Sequence, residues 1–240
     1  MKRFCLVLGA SGTIGSATAK ALAADGWSLY LQYNQTSVTS LIEYLTITYP
    51  EQEFMSVQAD LSKEGSSDII VQSIFDIEAI VVAGGHALYK LIDDTSAIDM
   101  QKLWMVHVQT PIEVIRDLAS KLRRHNKSYV VMIGSIWGEA GGAGEVLYST
   151  VKGAVHSFVK AYAQEVAYNG MNVNAIAPGM IETKMNGHLS QEEWNDVVAE
   201  IPLARAGKPE EVANMIQFLL SGKADYTTGQ IIRINGGWYI

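Results

Sequence analysis

Tyr148 and Lys152 stand four residues apart at the start of an apolar-periodic stretch, so they share one face of a helix. Ser135 ends the run Tyr129–Gly134, whose β-branched, uninterrupted character is that of a buried parallel strand. A hydroxyl at the carboxyl end of such a strand lies where open α/β sheets hold their ligands. Four glycines between Gly138 and Tyr148 let the connection fold back and bring Ser135 near Tyr148. The chemistry that suits a phenol, an ammonium and a hydroxyl is proton transfer to a carbonyl oxygen. A free phenol titrates near pH ~10, too high for work at neutrality. An ammonium at roughly 4 Å, in an effective dielectric of about 20, favours the phenolate by on the order of two or three pKa units. Tyr148 then donates the proton, Lys152 tunes it, and Ser135 holds the substrate oxygen. Taken alone, a Tyr-x-x-x-Lys also describes a core tyrosine beside a solvated lysine, so the trio needs a partner.

The partner lies at the other end of the chain. Phe4–Gly9 reads as a buried strand, and Gly9-Ala-Ser11-Gly12-Thr13-Ile14-Gly15 follows it directly, before an alanine-rich amphipathic helix over about 14–24. Glycines between a strand and a helix let the backbone turn tightly and approach a pyrophosphate, whose charge meets the helix N-terminus. Strand-like stretches follow at Trp27–Tyr33, Glu53–Val57, Ala79–Ala83, Tyr129–Gly134, Met171–Ile176 and Gln230–Ile234. Helical patterns cover about 37–49, 97–124, 157–167 and 209–220. That alternation predicts one α/β domain over 1–240, a Rossmann-type doubly wound parallel sheet of about seven strands with helices on both faces. Pro111 falls inside the long helix, where it has no N–H for the carbonyl of His107 and must loosen the coil.

Composition narrows the partners. A content of 48% hydrophobic and 18% charged residues fits one compact, well-buried domain. No run approaches 18 apolar residues, so no membrane span is expected. The apolar stretch after Met1-Lys-Arg is too short for a signal peptide and is needed as the first strand. A net charge of −7 argues against nucleic acid, and a single cysteine, Cys5, reads as core filling. A cytoplasmic protein is expected, with no metal site. The apolar ending Trp238-Tyr-Ile240 points to burial against another subunit, hence a homo-oligomer, a dimer or a tetramer.

The Gly9–Gly15 loop, Asp60-Leu61, Ala83-Gly84, Ser135, Tyr148 with Lys152, and Pro178-Gly179 occur in the order and at the spacing of the short-chain dehydrogenase/reductase family. The chain resembles that family over essentially its whole length. Ile201-Pro-Leu-Ala-Arg-Ala-Gly-Lys-Pro-Glu-Glu-Val-Ala and Thr228-Gly-Gln with Asn235-Gly-Gly are most similar to the 3-oxoacyl-[acyl-carrier-protein] reductase branch. The resemblance implies a dinucleotide held by Gly9, Ser11, Gly12, Thr13, Ile14 and Gly15, with Asp60 and Leu61 at the adenine. It places Ala83 and Gly84 beside the cofactor, Lys152 and Tyr148 at the ribose, and Pro178, Gly179, Ile181 and Thr183 at the nicotinamide. It also implies a substrate lid over about 184–206. Asn34 ends the second strand without the acid that would bind the ribose 2′-hydroxyl of NAD, which tilts the cofactor toward NADPH over NADH; a cation for the 2′-phosphate is missing from 33–37.

Two positions depart from the family. Val81-Val82 stands where it usually carries two asparagines, and His107 stands where an asparagine's backbone carbonyl holds a relay water. The histidine is either a packed core residue or an added titratable relay group. Lys121-Leu-Arg-Arg-His-Asn-Lys127 reads as a helix end favoured by the dipole, or as a dock for acidic acyl carrier protein. The expected activity is NADPH-dependent reduction of a 3-oxoacyl-type ketone on a small molecule or carrier. The departures also resemble a branch that reduces the 5-aminopentanone group on a lysine of elongation factor P. A dinucleotide-sensing protein without catalysis is the third reading.

Overall fold

The computed structural model describes residues 2–187 and 189–240. His188, inside the stretch read as a lid, lies outside the described residues, as does Met1 of the leader reading. Seven strands form one all-parallel sheet in the order β3-β2-β1-β4-β5-β6-β7. They are β1 (Arg3–Leu8), β2 (Trp27–Tyr33), β3 (Phe54–Gln58), β4 (Ala79–Val82), β5 (Ser128–Ile133), β6 (Met171–Pro178) and β7 (Ile231–Ile234). Strand order reverses between β1 and β4, and an open α/β sheet forms its ligand crevice at such a switch point.

Side chains alternate across the sheet, so each strand feeds two cores. Leu6, Leu8, Ile80, Val82, Val130 and Met132 enter one of them, under the helices α3 (Ser66–Ser73), α5 (Thr110–Leu122) and α7 (Val146–Val166). Cys5, Val7, Leu29, Leu31, Val81 and Val131 enter the other, under α1 (Thr13–Ala24), α2 (Thr39–Thr48) and α9 (Pro209–Leu220). Fully burying each such aliphatic chain contributes about 1.5–3 kcal/mol. Cys5 is wholly inside, and burial pushes its thiol up, as befits core filling. Val81 and Val82 show what replaces the missing asparagines: the middle of the sheet is braced here by apolar packing on both faces.

The long helix read over 97–124 is two helices, α4 (Ala97–Trp104) and α5, joined by π turns at Met105–Gln109. Proline does this: lacking an N–H, Pro111 cannot continue the ordinary ladder. The preceding residue, Thr110, bonds instead to the carbonyl of Met105, five residues back. Ser96 begins α4 with a reciprocal capping box to Asp99. Helix α3 has no counterpart in the sequence reading, because its apolar content is slight and Ser66 and Ser67 form much of its buried face. Strand β6 runs two residues past the expected end, to Pro178.

Inside the stretch read as a lid, α8 (Gln191–Ala199) opens with Ser190 and Glu193 as a second capping box. In the C-terminal tail, Trp238 packs on Trp137 of the same chain, with ring centroids 5.5 Å apart. Only Tyr239 and Ile240 project outward.

Candidate active site

The carboxyl ends of β1, β4, β5 and β6 are neighbours in the sheet, and the candidate residues leave from them. After β1 the chain turns at Gly9, whose φ of +78° is a left-handed conformation that glycine tolerates. A Cβ on Gly9 would lie 2.3 Å from the Cα of Gly84. The bend from β1 and the end of β4 therefore touch backbone to backbone, leaving an open cradle above them. Gln32 braces this bend from β2. Its Oε1 accepts from the Gly9 amide at 2.7 Å, and its Nε2 donates to the Ala59 carbonyl at 2.7 Å. Gln32→Ala strands both buried groups, each worth about 1–3 kcal/mol. Thermal unfolding should show a Tm lower by about 5 °C or more, and an unchanged Tm would remove the bracing role.

The connection after β5 folds back as its glycines suggested. Ser135 accepts from the Trp137 amide at 3.2 Å, and the Gly138 amide bonds back to the Ser135 carbonyl at 3.0 Å. Gly138 then packs on the backbone of Lys152, where a Cβ would lie 2.8 Å from the carbonyl carbon. Ser135, Tyr148 and Lys152 thereby line one cleft of about 480 Å³, a volume suited to a cofactor-sized ligand.

Gly12, Thr13, Ile14, Ala83, Gly84, His107, Pro178, Gly179, Ile181 and Thr183 line it too. Gly9, Ser11 and Gly15 are not part of the lining; a Cβ on Gly15 would lie 2.2 Å from the Gly9 carbonyl oxygen, so the helix start packs directly on the bend. Asn34, Asp60 and Leu61 lie outside this lining. Asn34 receives the Gln58 amide on its carbonyl. Leu61 is buried in the core beside Gly84. Burial disfavours the ionised form of Asp60, but hydrogen bonds from the Ser62 hydroxyl and amide prevail and hold its carboxyl below the usual range.

Lys152 does not hydrogen-bond Tyr148; its Nζ donates to the Ile133 carbonyl at 2.7 Å and lies 5.5 Å from the centre of the tyrosine ring. Burial pushes the ammonium down to about 7. Burial also pushes the Tyr148 phenol up, aided by Glu145 and Tyr89, while the Ser135 hydroxyl pulls the other way. Burial, which a reading of the isolated pair leaves out, is the largest influence on both groups.

His107 packs edge-on against Tyr148, centroids 5.6 Å apart, and Gly85 lies so close that a Cβ there would be 2.2 Å from the imidazole. Its Nε2 lies 2.9 Å from the His86 carbonyl and 3.3 Å from the His86 amide; the shorter contact, to an oxygen that can only accept, assigns the proton to Nε2 and leaves Nδ1 buried without a partner. Burial, then the Lys152 charge, hold its pKa well below the ordinary histidine value. A neutral imidazole supplies an acceptor and no charge, which favours the packed histidine of the two readings.

Sequence reading missed His86, Tyr89, Trp137, Glu145 and Trp238, all lining the cleft. It also missed His156, one turn beyond Lys152, buried between Gly134 and Gly138 and pushed down to about 4 by burial. The spacing of His156 from Lys152 was a usable signal; the others arrive from distant segments. Among the described residues no cluster of three metal-ligating side chains occurs, and no helix is long and apolar enough to cross a membrane.

A glycine cradle at the first strand, opening into the cleft that holds Tyr148, fits a nicotinamide dinucleotide. The family described as enoyl-(acyl carrier protein) reductase matches residues 9–239. The chain is 40% identical over 242 residues, covering all of both, to the "Uncharacterized oxidoreductase YmfI" of Bacillus subtilis (strain 168). It is 33% identical to a 3-oxoacyl-[acyl-carrier-protein] reductase of Aquifex aeolicus (strain VF5), over 98% of this chain and 96% of that one. The solved RhlG/NADP active-site complex of Pseudomonas aeruginosa superposes with a TM-score of 0.91 at 27% identity, over 99% of this chain and 96% of the other. The chain belongs to the short-chain dehydrogenase/reductase family and is an NAD(P)-dependent oxidoreductase.

Proposed function

We propose that this protein reduces a ketone to a secondary alcohol with NADPH, and that the ketone is of the 3-oxoacyl type. The observation that carries this is the meeting of Ser135, Tyr148 and Lys152 in the cleft that the glycine bend enters. A nicotinamide dinucleotide bound there supplies the hydride. Tyr148 protonates the developing alkoxide, and Ser135 donates a hydrogen bond to the same oxygen. Burial weakens Tyr148 as an acid but keeps its proton in place through the neutral range, and an alkoxide is a far stronger base than a phenolate. Lys152 stands behind it as the nearby cation, its Nζ held by the Ile133 carbonyl 5.5 Å from the centre of the tyrosine ring. NADPH is favoured by the absence of an acid at Asn34, and the RhlG relative holds NADP.

One observation favours a second reading of the carrier. The basic run Lys121–Lys127 ends α5 and leads into Ser128, the start of β5, so it lies at the opposite edge of the sheet from Ser135. A strand's length, about 20 Å, separates the two. Lys121 is tied to the Ile74 carbonyl, His125 to Asp76 at 3.0 Å and Lys127 to Asp225 at 3.6 Å. Over the cleft itself, α8 exposes Glu192 and Asp196, and Glu200 follows it. An acidic carrier protein meets like charge there, whereas a ketone on a basic or neutral protein does not. The second reading is a ketone carried on another protein, the 5-aminopentanone-modified lysine of elongation factor P.

The test offers an acetoacetyl thioester and the modified-protein ketone side by side, each with NADPH and NADH. Reduction of either, with kcat/KM about tenfold higher for NADPH, is the expected result; that ratio corresponds to about 1.4 kcal/mol. Tight dinucleotide binding with no turnover across a carbonyl panel would instead indicate a sensing protein.

A further inference from the structure

Beyond the proton-transfer trio, the cleft has a second wall. Trp137, two residues past Ser135, and Trp238, in the C-terminal tail, both line it and meet at 5.5 Å with their planes 69° apart. Tyr239 closes the cluster, 5.3 Å from Trp137. The tail is built to hold this position. Gly236 and Gly237 turn it through positive φ, and Tyr239 itself adopts φ +57°, which is uncommon for a residue with a side chain. The Asn235 side chain donates to the carbonyls of Trp238 and Tyr239, and its Oδ1 accepts from the Gly237 amide at 3.2 Å. Gly236 rests on Ile201 and Gly237 on Pro202, the segment that follows α8.

Met180, Met185, Leu189 and Val197 line the same cleft. Trp238, Leu189 and Val197 also pack around Met180 and Ile201 in a small apolar cluster of their own. Together the indoles and these aliphatic chains form one apolar slot of the cleft.

We infer that this slot takes the aliphatic arm of the ketone, and that Trp238 selects for arm length. The substrate class is an unbranched aliphatic ketone whose chain continues past the carbonyl, in place of a compact or charged keto compound. The inference rests on the ketone-reductase reading and adds to it which end of the substrate is recognised. Trp238 acts on binding of the arm, while Tyr148 and Ser135 act on the carbonyl.

The test compares N-acetylcysteamine thioesters of 3-oxobutanoate and 3-oxooctanoate with NADPH, for the wild type, Trp238→Ala and Trp238→Phe. Trp238→Ala should raise KM for the octanoyl ester about tenfold or more and leave KM for the butanoyl ester within about twofold. kcat should stay within about twofold for both, and Trp238→Phe should keep most of the wild-type preference. An equal change for the two lengths, or no change, overturns the assignment. Asn235→Ala, which frees the tail without altering the indole, gives the same comparison where Trp238→Ala fails to fold. If the wild type reduces neither ester, the 3-oxoacyl reading fails by itself. Calorimetric binding of the 3-hydroxyoctanoyl and 3-hydroxybutanoyl thioesters then decides the wall: equal affinities in wild type and variant overturn it.

Discussion

Tyr148→Phe should bind NADPH with a Kd within about threefold of the wild type and lose at least about 10³ in kcat, the upper range for a positioned general acid. The phenyl ring keeps the packing that the tyrosine ring makes with His107, so the cleft walls stay in place. What disappears is the proton. Ser135 cannot replace it, because a free hydroxyl is a far weaker acid than a phenol and its oxygen is engaged by the Trp137 amide. NADPH oxidation followed by absorbance gives kcat, and quenching of NADPH fluorescence gives Kd. A variant that reduces ketones at the wild-type rate removes Tyr148 from the chemistry.

The second large effect is on stability. The folded protein holds Lys152 near a pKa of about 7, against an ordinary 10.5. Between those values the unfolded chain binds a proton that the folded one has released, so unfolding becomes less favourable as pH rises. Below pH 7 both states carry the proton and the slope vanishes. The raised phenol of Tyr148 acts in the opposite sense, only above about pH 10, where the unfolded chain ionises and the folded one does not. Denaturant unfolding at pH 6, 8 and 9.5 should show stability climbing on the order of a few kcal/mol through this window. Lys152→Met should lose most of that climb and be relatively more stable at pH 6. Parallel pH profiles for the two proteins would show that Lys152 is not desolvated in this way.

Much of this site was legible in the sequence because its signals are local. Gly9, Gly12 and Gly15 stand within seven residues between a strand and a helix, and Tyr148 and Lys152 are one helical turn apart. Ser135 closes a buried strand. Pro111 announced a break in its helix, and the π turns at Met105–Gln109 are the form the break takes. What stayed hidden is nonlocal. Trp238 reaches Trp137 across about a hundred residues, and Gln32 supports Gly9 from a neighbouring strand. An apolar tail looks the same whether its partner is another subunit or its own chain. The burial of Lys152 and Tyr148 is hidden for a related reason, since distant elements impose it. Helix α3 escaped because two serines face its core, so periodicity had little to register.

The claim on which the chemistry depends is that Ser135 and Tyr148 serve one oxygen. A double-mutant cycle of Ser135→Ala and Tyr148→Phe, read as kcat for NADPH-dependent ketone reduction, tests it most directly. Groups that act as a unit give losses that do not add, so the double variant should fall little below Tyr148→Phe alone. Losses that multiply in full would place the two hydroxyls in separate steps and contradict a shared substrate oxygen.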